Sequence, residues 1–184
     1  MKQALCFGTL LITPIVVTML IMSCGGREDG GIDSPRLDLL TAIDQGKTDI
    51  VRQHMQSGTD PNKGPVPVGI PLEGAYPLHL EVVKGDKEII KILLDNGAKL
   101  ELKAKSKDEA TPLSWAAFFG QKDVVLLLIE AGASINVLDA NHGTPLDAAT
   151  FAWRASQDNA AWAKNLMEII TILKANGGKP ADGL

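Results

Sequence analysis

At 184 residues and a formal charge of −4, the chain is long enough for one ordinary domain and too acidic for a default nucleic-acid binder, which carries a basic patch or stripe. Only two cysteines, Cys6 and Cys24, and three histidines are present, which argues against a disulfide framework and against a dedicated metal site. Neither a metal nor a cofactor is expected. The chain opens with one charge, Lys2, before a run without charged residues from Gln3 to Ser23. A basic start followed by an apolar run is the pattern of a secretory signal, here over residues 1–23. The apolar stretch Ala4–Met22 is 19 residues, about the minimum for a spanning helix, so an uncleaved anchor is the alternative. Both readings place the remainder outside the cytoplasm and beside a membrane.

The run ends Leu20-Ile21-Met22-Ser23-Cys24, followed by Gly25-Gly26. This resembles the lipobox of bacterial lipoproteins, from which it departs at Met22, a bulkier residue than the small one usual there. The resemblance implies cleavage before Cys24 and a lipid on Cys24 that contacts the membrane. Gly25, where an Asp is absent, implies delivery to the outer membrane, facing the periplasm of the cell envelope. Cys6 leaves with the signal and Cys24 is capped, so the mature domain has neither a free thiol nor a disulfide and relies on its core alone. Residues 24–35 are rich in Gly, Pro and charge and read as a flexible tether. The body is 36–184.

Within the body three segments align: Tyr76-Pro77-Leu78-His79-Leu80, Thr111-Pro112-Leu113-Ser114-Trp115-Ala116-Ala117 and Thr144-Pro145-Leu146-Asp147-Ala148-Ala149. Their prolines are 35 and then 33 residues apart. Leu78 precedes Gly85 by seven residues and Leu113 precedes Gly120 by seven; Leu39 and Gly46 reveal an earlier, degenerate copy. Paired aliphatics follow at Ile50-Val51, Ile89-Ile90, Val124-Val125 and Ile169-Ile170. Eight residues beyond the first of each pair stand Gly58, Gly97, Gly132 and Gly177, which makes four copies. In copies three and four Thr is placed to cap a helix, and in copies two to four Pro occupies its first turn, where a missing N–H costs nothing. A first short helix ends at the first glycine, and a second, apolar at helical spacing (Val124, Val125, Leu128, Ile129), stops at the second glycine. One such pair cannot bury both faces, whereas stacked pairs can.

The spacing and the Thr-Pro-Leu-x-x-Ala motif resemble the ankyrin repeat family over about residues 37–178. The fold this implies is an all-α repeat solenoid of about four helix pairs with β-hairpin fingers along one edge. The repeats fall at about 37–62, 73–101, 108–136 and 141–178. The resemblance also implies a monomeric domain that binds another protein and is not an enzyme. Copy one lacks Thr-Pro, and Lys174 in copy four stands where copies two and three have an aliphatic residue, as suits terminal copies with one wet side. Glu81 occupies the place of Ala116 and Ala149, an unusual site for a carboxylate. About six residues are inserted within Pro61–Gly74, which holds four prolines and three glycines, and twelve near Phe151–Ala163 in copy four.

No catalytic motif stands up: G-x-S-x-G, H-E-x-x-H and a P-loop are all missing. His79-Leu80-Glu81 superficially matches the H-x-E of zinc deaminases, but P-C-x-x-C is absent, and His79 is better explained as the repeat's turn-supporting histidine. The family resemblance places the two residues after Ala-Ala on the concave partner surface. On this chain these are Phe118 and Phe119, with Asp44, Lys84 and Phe151 among the corresponding positions. The two Phe either line that surface as anchors or pack between copies. Trp153 and Trp162 flank the copy-four insertion. They either fill a wedge between lengthened helices, the favoured reading, or form a projecting lobe that grips a partner. Lys103 and Lys105, in the Lys-rich finger Lys99–Glu109, read as a solvated loop or as a face for an acidic partner. The expected function is a membrane-tethered protein-binding module of the envelope. An immunity or inhibitor lipoprotein against an envelope-targeted toxin or hydrolase is one alternative, and a structural or protective envelope component is another.

Overall fold

The computed structural model describes residues 35, 37–156 and 158–184, so the leader, most of the tether and Cys24 lie outside the described residues. Eight α-helices form four pairs within the unit Ser34–Leu184: α1 (Leu39–Asp44) with α2 (Thr48–Gln56), α3 (Pro77–Lys84) with α4 (Lys87–Asp95), α5 (Pro112–Phe118) with α6 (Lys122–Glu130), and α7 (Pro145–Ala155) with α8 (Ala160–Ala175). A short 3-10 turn, Ala181–Gly183, closes the chain. The inner helices stack α1 on α3 on α5 on α7, while α2 lies on α4 and α6 on α8. The repeated aliphatics meet in one continuous core that includes Ile43, Val51, Ile89, Leu93, Leu113, Leu128, Leu166 and Leu173. Among the described residues no helix is long and apolar enough to cross a membrane.

Local chemistry sets the helix ends. The Thr111 hydroxyl accepts from Ser114 N at 3.3 Å, and Thr144 forms a reciprocal box with Asp147: Asp147 N donates to the Thr144 hydroxyl at 3.2 Å and Thr144 N to Asp147 Oδ2 at 3.0 Å. Tyr76 replaces the threonine in copy two and supplies no side-chain cap, but Pro77 still opens the helix. The outer helices all end alike. Thr59, Ala98, Ala133 and Gly178, each one residue past the second glycine, return their N–H to the carbonyls of His54, Leu93, Leu128 and Leu173 at 2.8–3.0 Å. That closure needs a left-handed residue just before it, which is the role of the four glycines.

A second periodic device lies in the junctions, and no apolar spacing announces it. Asn62 donates to Gly97 O at 2.9 Å and accepts from Lys99 N at 2.8 Å. Asn136 does the same to Gly177 O at 3.0 Å and Lys179 N at 2.8 Å. At the middle junction Glu101 occupies this place and accepts from Ser134 N at 2.7 Å. A carboxylate has no proton for the neighbouring carbonyl, so this junction has one bond of the two.

The β-hairpin fingers expected from the resemblance are corrected: no strand occurs among the described residues. Each inter-copy segment closes with isolated bonds: Val66 N to Ala75 O at 2.8 Å, Ala104 N to Ala110 O at 3.0 Å, and Asp139 N to Gly143 O at 2.9 Å. Neighbouring segments join through Lys105 N to Gly74 O at 2.8 Å and Ala140 N to Asp108 O at 2.7 Å. A ladder is blocked where Pro61, Pro65, Pro67 and Pro71 lack an N–H, and the left-handed φ of Leu72, Glu109 and His142 bends each return arm. The copy-four insertion is absorbed by lengthening: α7 has 11 residues against seven in α5, and α8 has 16 against nine in α6.

Candidate functional site

The inner helices present a second face besides the core face. Trp115 and Phe118 on α5 and Phe119 at its C-cap lie three and four residues apart and so share one side; Ala148 and Phe151 do the same on α7. With the fingers opposite, they line a groove of about 650 Å³. Phe118 and Phe151 stack across copies, with ring centroids 6.3 Å apart and planes inclined by 17°. Phe119 meets Phe118 edge-on at 5.2 Å and Trp115 at 6.0 Å, and Trp115 in turn meets the buried His79 at 5.1 Å. Trp115 is fixed by its indole N–H, which donates to Asp108 Oδ2 at 3.2 Å. Phe151 is 66 % exposed and Phe118 36 %.

The two phenylalanines singled out in the sequence thus differ. Both line the groove, but Phe118 is exposed whereas Phe119 is half-buried and braced between Trp115 and Phe118. Lys84 and Asp44 pair with one another between α1 and α3, Nζ to Oδ1 at 3.2 Å, away from the aromatic groove. Lys103 donates to Leu138 O at 2.8 Å and so ties two fingers together. The Lys105 side chain is exposed, its backbone N–H held by Gly74 O. Trp153 and Trp162 are half-buried against the core and do not line the groove. Trp162 lies across Gly120, where its Nε1 would stand 2.5 Å from any added Cβ, and Asn165 of the same helix donates to Gly120 O. A side chain at Gly120, whose φ is +72°, would be strained and would collide with the indole.

Residues that sequence spacing did not single out complete the groove. Phe151 was visible as the counterpart of Phe118. Asp108, Asp139 and Glu73 come from irregular finger backbone, where no periodicity marks them. Asp139 Oδ1 accepts from Asn141 N and Gly143 N, both at 2.8 Å, and shapes its own turn.

Two buried ionisable groups lie on α3, of which His79 meets the groove residue Trp115. His79 donates through Nε2–H to Ala110 O of the next copy at 3.1 Å, so its ring bridges copies as well as supporting its own turn. Burial pushes its pKa down to about 4, against the opposing pull of the Ala110 carbonyl and Asp108. Its Nδ1 has no hydrogen-bond partner, and neither does either carboxyl oxygen of Glu81. Burial, aided by Asp86 and opposed by Lys84, pushes Glu81 up to about 7. Among the described residues, no cluster of three or more His, Cys, Asp and Glu is placed to hold a metal.

A family model for ankyrin repeats, in three copies, matches residues 39–139. An ankyrin repeat-containing protein of Schizosaccharomyces pombe (strain 972 / ATCC 24843) is 33% identical over 72 residues, which are 39% of this chain and 31% of that protein. The chain therefore aligns with less than a third of that relative's length.

Proposed function

The chain belongs to the ankyrin-repeat family, and from that premise we propose that it is a membrane-tethered module of the cell envelope that binds another protein through its concave groove. Ankyrin repeats are generally interaction modules without catalysis, and fold alone leaves the partner open. The observation that carries the reading is the Phe118–Phe151 stack, solvent-facing in a groove that no segment among the described residues covers. Contiguous exposed aromatics rimmed by polar groups mark interaction sites. Tethering rests on the sequence Leu20-Ile21-Met22-Ser23-Cys24.

Cross-linking affinity purification of the native protein against its Phe151→Ala variant tests the groove. One dominant partner, lost in a variant that keeps its melting temperature, supports the assignment; a partner retained by the variant removes it. Fractionation of Cys24→Ala tests the tether. Wild-type membrane distribution with the leader retained would refute lipid anchoring.

A further inference from the structure

Four acidic side chains, Glu73, Asp108, Asp139 and Asp147, line the aromatic groove, and no basic residue does. Elsewhere charges are matched across copies: Arg52 with Glu88, Lys87 with Asp123, Lys122 with Glu168 and Lys84 with Asp44, at 2.9–3.3 Å. None of the four groove carboxylates has an ion-pair partner among the described residues. The nearby lysines do not line the groove, and Lys103 is committed to Leu138 O.

The four carboxylates are held by their own surroundings and are ready-oriented. Trp115 Nε1–H and the Ser106 hydroxyl fix Asp108. The turn N–H groups of Asn141 and Gly143 fix Asp139. Thr144 N and Ala181 N fix Asp147, at 3.0 and 2.9 Å, and Gly69 N donates to Glu73 at 2.9 Å. The groove thus combines negative walls with an aromatic floor whose outermost ring, Phe151, has most of its surface open. Aromatic faces attract cations, and a guanidinium, being planar and weakly hydrated, both stacks on a ring and donates to flanking carboxylates. An ammonium satisfies the charge but not the stacking. Acidic segments are repelled, and a purely apolar segment leaves the carboxylates desolvated without a counter-charge.

We propose that the occupant of the groove is a segment of a partner protein that carries an arginine next to an apolar residue, the guanidinium stacked on Phe151 and held by the carboxylate wall. This rests on the reading of the groove as the protein-binding surface and names the chemistry of what it takes.

The test uses the full-length chain in detergent and a positional-scanning peptide library, followed by titration of a selected peptide against its arginine-to-citrulline form. Citrulline keeps the shape and removes the charge. Selection of arginine, a loss of about tenfold or more with citrulline, and weakening at high salt are expected. Selected peptides that depend on Phe151 yet lack arginine, or that bind equally well with citrulline, overturn this inference and leave the groove assignment standing. Selected peptides indifferent to Phe151→Ala overturn both.

Discussion

Glu81→Ala restores the residue that copies three and four carry at this place, and its effect should change with pH. In the folded state Glu81 is fully buried with both carboxyl oxygens unpartnered, and its pKa is pushed from 4.5 up to about 7. Between those values the folded protein holds a proton that the unfolded chain releases, so this group lowers stability as pH rises through the window. Each pH unit of displacement is worth about 1.4 kcal/mol, so the full penalty is about 3 kcal/mol above pH 7 and vanishes well below pH 4.5. His79 acts in the opposite sense. Its pKa falls from 6.5 to about 4, so the stability it gives by staying neutral is complete above 6.5 and is lost as pH drops toward 4. The two slopes oppose each other over the shared range, and the wild type should be flatter with pH than either residue alone would make it. Truncation to Ala also removes methylene packing worth about 1–2 kcal/mol, offset by release of an uncharged but unpaired carboxyl of similar cost. Urea denaturation of wild type and Glu81→Ala at pH 4 and pH 8 reads the difference. The variant should be near neutral at pH 4 and more stable than wild type by about 3 kcal/mol at pH 8. A difference between variant and wild type that is the same at both pH values would refute the argument, because it would mean that Glu81 ionises freely in the fold.

Leu113→Ala truncates a side chain only 1% exposed in the central copy and should cost about 2–5 kcal/mol in chemical denaturation; a loss well under 1 kcal/mol would place Leu113 outside the core. Asn136→Ala removes both bonds of the last junction, to Gly177 O and from Lys179 N, and should cost about 1–3 kcal/mol with early fraying of α8 in hydrogen exchange. Glu101→Asn supplies the donor missing at the middle junction and should raise stability by up to about 1 kcal/mol, read as a higher urea midpoint at unchanged slope. Lys105→Glu alters an exposed finger charge and should change the association rate with the partner, and its salt dependence, more than the dissociation rate, as stopped-flow would show.

The helix pairs were legible in the sequence because each carries spaced aliphatics and glycine punctuation, joined by a helix-opening proline in copies two to four. The fingers were less so. Their form depends on left-handed φ at Leu72, Glu109 and His142, residues whose identity does not announce that conformation, so an expected strand ladder gave way to single hydrogen bonds. The aromatic floor was half legible: Phe118 and Phe119 stood out, yet only packing shows that both line the groove, one exposed and the other half-buried as its brace. The acidic wall was hidden, because its members come from three fingers and a helix start that meet only when the copies stack. Trp153 and Trp162 are half-buried against the core, and Trp162 needs Gly120 of the preceding copy beneath it, a contact across more than forty residues.

Hydrogen exchange on the full-length chain, alone and with its purified partner, tests the concave groove as the binding surface most directly. Protection is expected on α5, α7 and the three fingers, including the amides around Phe118 and Phe151, and it should be lost with Phe151→Ala. Protection confined to the outer helices α6 and α8, with the fingers unchanged, would contradict the account.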